Sequence, residues 1–235
     1  MAKVVITGGN KGIGLEITKL FLQAGDDIIV VARDLKDFEL KNNNKISAIS
    51  FDLQNIEAIP DLIKEIGEID ILINNAGSAT GLAPENYDTV HRTYIENLNL
   101  AAPIALITGF LPGLIRNGRG RVVNTASQAG VFGHYDIWYG ATKAGLINAT
   151  KTFASLYGSK GLVINSVSPG PVKIDRILNS PNKERYERII SRTILKRYAL
   201  PEEVAKVVYW LAKESPEYLN GENYLINNNV TSLDA

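Results

Sequence analysis

The chain has no cysteine, so disulfides, thiol nucleophiles and cysteine-ligated zinc are excluded. Histidine is nearly absent too. Only His91 and His134 occur, far apart in sequence, which argues against a histidine-based metal site. Charge of one sign is missing: 25 basic residues balance 25 acidic ones, leaving no broad basic footprint for nucleic acid. The opening "MAKVVITGGN" lacks the basic region and long apolar run of a secretory signal. The most apolar later stretch, Ala101 to Ile115, is interrupted by Pro103, Gly109, Pro112 and Gly113 and falls short of the ~20 residues that span a bilayer. The expectation is a cytoplasmic protein, with neither nucleic acid nor membrane among its partners.

What is present reads as α/β. The 235 residues, 45% hydrophobic and 21% charged, fit one large domain, 1–235, without linker or internal repeat. Short β-branched runs at 3–7, 27–32, 45–51, 69–75, 121–127, 162–168 and 222–226 predict seven strands. Helical patterns lie between them at 12–25, 55–67, 88–116, 137–158, 182–195 and 201–214, with Pro60 expected to break or kink the second. Residues 35–44 are too polar to assign. Strands apolar on both faces and alternating with helices predict a doubly wound, Rossmann-type parallel sheet covered on both sides. Such sheets bind ligands at the carboxyl ends of their strands.

Several motifs fall at those ends. "TGGNKGIG", Thr7 to Gly14, follows the first strand and opens the first helix. Gly8, Gly12 and Gly14 would let the backbone turn tightly and approach a pyrophosphate at the helix N-terminus, with Asn10, Lys11 and Ile13 in the same contact. The second strand delivers Arg33 and then Asp34. Arg33 and Lys11 would favour the extra phosphate of NADP, while Asp34 keeps NAD open. Asp52 could meet an adenine amino group beside Leu53, or cap a helix. Asn75, Ala76 and Gly77 of "NNAG" end the fourth strand, where a cofactor could pass or a plain turn could form.

"WYGATKAGL" places Tyr139 and Lys143 one helical turn apart, on one face. A cation held near a phenol favours the phenolate, so the pair suits proton transfer. The spacing alone decides nothing, because Tyr209 and Lys213 repeat it. That second pair is expected to be a surface coincidence. Ser127, twelve residues before Tyr139, could share a pocket with it, although alone it reads as a turn serine. A hydrolase built on Ser127, His134 and Asp136 lacks the G-x-S-x-G elbow.

In this order and spacing the motifs resemble the short-chain dehydrogenase/reductase family along essentially the whole chain: Thr7-Gly8-x-x-x-Gly12-x-Gly14, Asn74-Asn75-Ala76-Gly77, an asparagine in "NLAAP", Ser127, Tyr139-x-x-x-Lys143 and Pro169-Gly170. The resemblance implies NAD(P)-dependent hydride transfer, with 3-oxoacyl-acyl-carrier-protein reductases the nearest in feel. It implies a tetrad of Asn99, Ser127, Tyr139 and Lys143, Asn97 being the other register for the asparagine. It implies Pro169, Gly170 and Val172 at the cofactor, which is NADP(H) rather than NAD(H). Tyr139 would be the acid in reduction, Ser127 would hold the substrate oxygen, Lys143 would serve tyrosine and ribose, and Asn99 would support a proton relay. Ile174 stands where the family often has Thr or Ser, and "NNN" (227–229) replaces a usual Asp-Gly-Gly. A charged loop at about 175–195 is expected to close over a small carbonyl or alcohol substrate. Arg116, Arg119, Arg121 and Lys160 could meet an acyl carrier protein, or simply be solvated. A homotetramer or homodimer is implied, with Ile147, Phe153 and Leu156 on a candidate outer face. The alternative function is NADP binding without turnover.

Overall fold

The computed structural model describes residues 1–116, 118–174 and 183–229. Its seven strands are β1 (Lys3–Thr7), β2 (Asp27–Ala32), β3 (Ile46–Ser50), β4 (Ile71–Asn74), β5 (Arg121–Thr125), β6 (Val163–Pro169) and β7 (Asn223–Ile226). All pair in parallel, in the order β3-β2-β1-β4-β5-β6-β7. Chain direction across the sheet reverses between β1 and β4, which opens a crevice at their carboxyl ends.

Alternation along the strands supplies two cores. Val4, Ile6, Ile28 and Val30 face one side, against α1 (Gly12–Gln23), while Val5, Ile29 and Val31 face the other, with α2 (Ile59–Ile66). Each fully buried aliphatic side chain contributes about 1.5–3 kcal/mol before entropy is counted. Pro60 does not break α2. It occupies the helix's first turn, where its missing N–H costs nothing, after a short 3-10 turn at Ile56–Ala58. The unassigned 35–44 stretch forms turns that bury Phe38 in the first core.

The predicted long helix runs without interruption from Thr89 to Arg116. It comprises α3 (Thr89–Glu96), a π turn (Asn97–Ala101) and α4 (Ala102–Arg116). By length and composition it could cross a membrane. Here Leu106, Ile107, Phe110 and Leu114 are buried in the second core. Pro103 is the second residue past the π turn, and a wider turn relieves the crowding of a proline ring on the preceding turn.

A short α5 (Ala129–Phe132) precedes α6 (Ile137–Tyr157). Next come α7 (Lys183–Arg192) and α8 (Pro201–Lys213), the latter packed on α1. Part of the expected substrate loop, including Asp175 and Arg176, lies outside the described residues. Beyond β7, Asn228 and Asn229 adopt left-handed backbone (φ 52° and 61°), which asparagine tolerates better than most residues. That is how "NNN" stands in for a glycine-containing turn. Asn228 also accepts from the Leu195 N–H through its side chain, at 2.6 Å.

Candidate active site

A cleft of about 530 Å³ opens at the carboxyl ends of the strands, over the β1/β4 switch point. Its floor begins with the glycine loop. Gly8 is left-handed (φ 64°), and a Cβ on Gly14 would lie 2.0 Å from the Gly8 carbonyl oxygen, so position 14 admits only glycine. No side chain caps α1. Lys11 sits at the N-cap without a capping bond, and the first turn has no acidic residue. The helix N–H groups therefore face the cleft without a side-chain acceptor, an arrangement that receives an anion.

Thr7 ties this loop to β4. Its hydroxyl accepts from the backbone N–H groups of Asn75 and Ala76, both at 3.0 Å, and Asn75 Nδ2 donates back to the Thr7 carbonyl at 3.2 Å. Asn74 faces the interior instead. It donates to Asn124 Oδ1 at 2.9 Å, and Asn124 donates to Thr150 Oγ1 of α6 at 2.9 Å. A buried amide chain thus links β4, β5 and the helix bearing the tyrosine.

At the corner beyond β2, Lys11, Arg33 and Asp34 all line the cleft. Asn10 Nδ2 closes the corner by donating to the Asp34 carbonyl at 2.7 Å, and Asp34 Oδ1 accepts from Lys36 N at 2.9 Å. Asp52 does not cap a helix. Its carboxylate accepts from Gln54 N at 3.1 Å and holds its own turn. Ile174 also lines the cleft, 3.4 Å from where a Cβ on Gly12 would sit, so an apolar side chain covers the glycine loop at the position of the expected hydroxyl.

Ser127, Tyr139 and Lys143 line the inner end of the same cleft. Lys143 is buried, and its Nζ donates to the Thr125 carbonyl at 2.7 Å. Ser127 Oγ accepts from Ala129 N at 3.2 Å, leaving its proton to donate. Asn99 is not a lining residue. It lies fully buried behind the wall, where the π turn carries it, and clasps Ser78: Oδ1 accepts from Ser78 N at 2.9 Å and Nδ2 donates to Ser78 O at 2.7 Å. Asn97, the other register, donates instead to the Gln54 carbonyl at 3.1 Å. Both Asn99 Oδ1 and Lys143 Nζ lie 3.1 Å from where a Cβ on Gly77 would stand, so glycine there lets them converge.

Every residue that the sequence assigned to the cofactor lines this one cleft, from Gly8, Asn10 and Ile13 through Leu53, Asn75, Ala76 and Gly77 to Pro169, Gly170 and Val172. The sequence reading missed Tyr94 and Leu98, which the long helix presents to it, and Phe51 and Gln54 around Asp52. No motif marks them, since helix periodicity gives a face but not its neighbour. It also missed the structural part of Asp136. Oδ1 of this fully buried carboxylate accepts from Tyr139 N at 3.0 Å as the N-cap of α6. An acidic residue three positions before a helical tyrosine is a cap signature that could have been read. The Tyr87 hydroxyl donates to Asp136, and burial, then that carboxylate, pushes Tyr87 up to about 12.

Of the cations expected to meet a carrier protein, Arg116 pairs with Glu68 and Arg121 donates to the Ser215 carbonyl at 3.0 Å. Lys160 lies over the Tyr157 ring, 5.3 Å from its centroid. Within the candidate outer face, Phe153 packs into the second core while Leu156 is exposed. The Tyr209–Lys213 pair is not a surface coincidence. Lys213 Nζ reaches both oxygens of fully buried Asp26 at 2.8 Å, and the Tyr209 ring packs edge-on against Phe21 with centroids 5.1 Å apart.

The fold and the cleft define a doubly wound, dinucleotide-binding type of oxidoreductase scaffold. Residues 2–185 match the family model for short chain dehydrogenase, and the chain belongs to that family. It is 31% identical over 231 residues to the 3-oxoacyl-acyl-carrier-protein reductase FabG of Buchnera aphidicola, covering 94% of each chain. It is 29% identical over 242 residues to the 7alpha-hydroxysteroid dehydrogenase of Bacteroides fragilis, covering 97% of this chain and 93% of that one. Among solved structures, 4-hydroxyisoleucine dehydrogenase complexed with NADH superposes with a TM-score of 0.90 at 25% identity, covering 97% of this chain and 98% of that one. The protein is accordingly an oxidoreductase of carbonyl and alcohol groups with a nicotinamide cofactor.

Proposed function

We propose that the protein reduces a carbonyl to an alcohol with NADP(H), Tyr139 acting as general acid. One observation carries the reading: Ser127, Tyr139 and Lys143 share a single cleft with an uncapped glycine-loop helix, and Asn99 converges with Lys143 at Gly77. The cofactor fits what the chain offers. The glycines leave room for a pyrophosphate against the first turn of α1, and the cations Lys11 and Arg33 at the β2 corner suit a 2′-phosphate. When bound, the reduced nicotinamide supplies the hydride.

The chain's residues do the rest. Ser127 Oγ–H orients the substrate oxygen. The Tyr139 hydroxyl gives that oxygen a proton, and a neutral phenol suffices as donor in the reducing direction. Lys143 supports charge on the phenolate left behind. Asn99 holds the Ser78 backbone, so the wall facing the reacting carbonyl stays fixed. The working assembly we propose is a homotetramer or homodimer.

The test is loss of reduced-nicotinamide absorbance with NADPH and with NADH, on ketones that include an acetoacetyl thioester, keto-sugars and an oxosteroid. Wild type and Tyr139→Phe are run side by side. Turnover that prefers NADPH and collapses in the variant supports the reading. NADPH binding without turnover on any ketone would favour a nucleotide-sensing protein, and preference for NADH would reassign the corner to Asp34.

A further inference from the structure

Between the end of β4 and the start of α3 the chain makes a long excursion, and a single carboxylate closes it. Asp136 Oδ2 accepts from Thr80 N at 3.0 Å, Gly81 N at 2.9 Å and Thr80 Oγ1 at 3.1 Å. Tyr87, at the far end of the excursion, donates to Oδ1, which also accepts from Tyr139 N at 3.0 Å. The Thr80 and Tyr87 hydroxyls touch each other at 2.6 Å. Both ends of the 80–87 segment therefore meet on one fully buried carboxylate, and that carboxylate starts the helix bearing Tyr139.

The neighbouring residue is pinned from the other side, where Asn99 clasps the Ser78 backbone with both halves of its amide. Ser78 lines the cleft beside Gly77. Four residues, 78–81, are thus held at one end by the π turn of the long helix and at the other by the cap of α6. A buried carboxylate met by the N–H groups of Thr80, Gly81 and Tyr139 and by the Thr80 and Tyr87 hydroxyls is a stiff joint, because each of the five that leaves weakens the compensation of a charge that water does not reach. Capping α6 would need only one of those five.

We propose that Asp136 is a positioning residue for the reaction: it locks the 78–87 segment, whose first residue Ser78 lines the cleft, to the first turn of α6, and so sets the Tyr139 hydroxyl against the carbonyl held in the cleft. The proposal rests on the reductase reading above. A displacement of about 1 Å at a reacting group costs on the order of a hundredfold in rate.

Asp136→Ser separates the two duties, since a serine still caps α6 but cannot also receive the loop donors. Tyr87→Phe removes one loop donor and leaves the cap intact. Expected for Asp136→Ser is a kcat on the order of a hundredfold lower, with the NADPH Kd within about twofold of wild type. Tyr87→Phe should fall in the same direction by about tenfold, and Asp136→Ala should lie at or below Asp136→Ser. Hydrogen exchange needs no substrate and is read on the same samples. The Thr80 and Gly81 amides should exchange faster in Asp136→Ser, while the Tyr139 amide stays protected. A kcat within about twofold of wild type well below the melting temperature, with only the melting temperature reduced, would overturn the proposal. So would unchanged exchange at Thr80 and Gly81. Tyr139→Phe is carried as the control: if it stays fully active, the reductase reading falls and the positioning role falls with it.

Discussion

The chain contains the same Tyr-x-x-x-Lys spacing twice, each time beside a fully buried aspartate, with opposite results. At Tyr209–Lys213 the lysine is consumed by the carboxylate. Lys213 Nζ bridges both oxygens of Asp26, which also accepts from the Ala2 backbone N–H at 2.8 Å. The ion pair ties the end of α8 to the turn before β2, and the tyrosine contributes a ring to the first core. At Tyr139–Lys143 the nearby Asp136 is met by N–H and O–H groups of Thr80, Gly81, Tyr87 and Tyr139. Lys143 instead donates to a backbone carbonyl at the cleft. Asp136 is thus met by neutral donors, and Lys143 lines the cleft together with Tyr139. What separates the two pairs is therefore the partner of the acid, and not the spacing.

The contrast can be broken most forcefully at the tyrosines. Tyr139→Phe should lower kcat by on the order of a thousandfold, the usual weight of a placed acid, in steady-state reduction assays. Tyr209→Phe should leave kcat within about twofold of wild type. Similar losses in the two variants would erase the distinction.

The lysines sharpen it through stability rather than rate. Lys213→Ala strands a buried carboxylate and should cost roughly 3–5 kcal/mol of stability. In a chain of this size that lowers the melting temperature by about 10 °C. Turnover per folded molecule should not change. An unaltered melting curve would mean that Asp26 finds other donors.

A pH sweep separates the two regions more gently. Tyr87, pushed up to about 12 by burial and by Asp136, holds its proton more tightly folded than unfolded. Its contribution is fully present below pH 10 and is lost as pH rises through 12, so the 78–87 segment should loosen in alkali by hydrogen exchange. Tyr87→Phe should remove that alkaline step while the Asp26 end behaves as in wild type. The smallest effect sits away from both pairs. Arg197 and then the Leu200 backbone N–H hold Glu203 down at about 2, so its contribution is present above the ordinary carboxylate range and lost as pH falls through about 2. The Glu203 side chain is partly open to solvent, and Glu203→Gln should shift stability by only a few tenths of a kcal/mol above pH 5, by chemical denaturation.

Local chemistry made much of this legible in advance. Glycines at 8, 12 and 14 after a β-branched run announce a tight turn into a helix, and the seven strands follow from period and β-branching. The Tyr139–Lys143 spacing was visible but ambiguous, because sequence does not show what each lysine meets. Pro60 misled for a simple reason: proline is penalised inside a helix and welcome in its first turn, so a small error in where the helix begins turns one case into the other. Phe38 was hidden by polar neighbours, since a loop can bury one ring without any periodicity. The Asn74–Asn124–Thr150 chain joins residues more than twenty positions apart and leaves no local trace.

The π turn at Asn97–Ala101 has a consequence for heredity. It adds one residue to a helical turn, and on a helix one residue is roughly 100° of rotation. Loss of a single codon within it would restore ordinary helical geometry and, because the wider turn had absorbed the extra residue, leave α3 and α4 in phase while moving the residues inside the turn. Tyr94, upstream of the turn, would keep its place, while Asn99, inside it, would no longer face Ser78. The long helix could thus gain regularity while the site lost its alignment. Substitutions along this stretch can be sampled one at a time, whereas losing one residue removes the wide turn, and with it the placement of Asn99, in a single step.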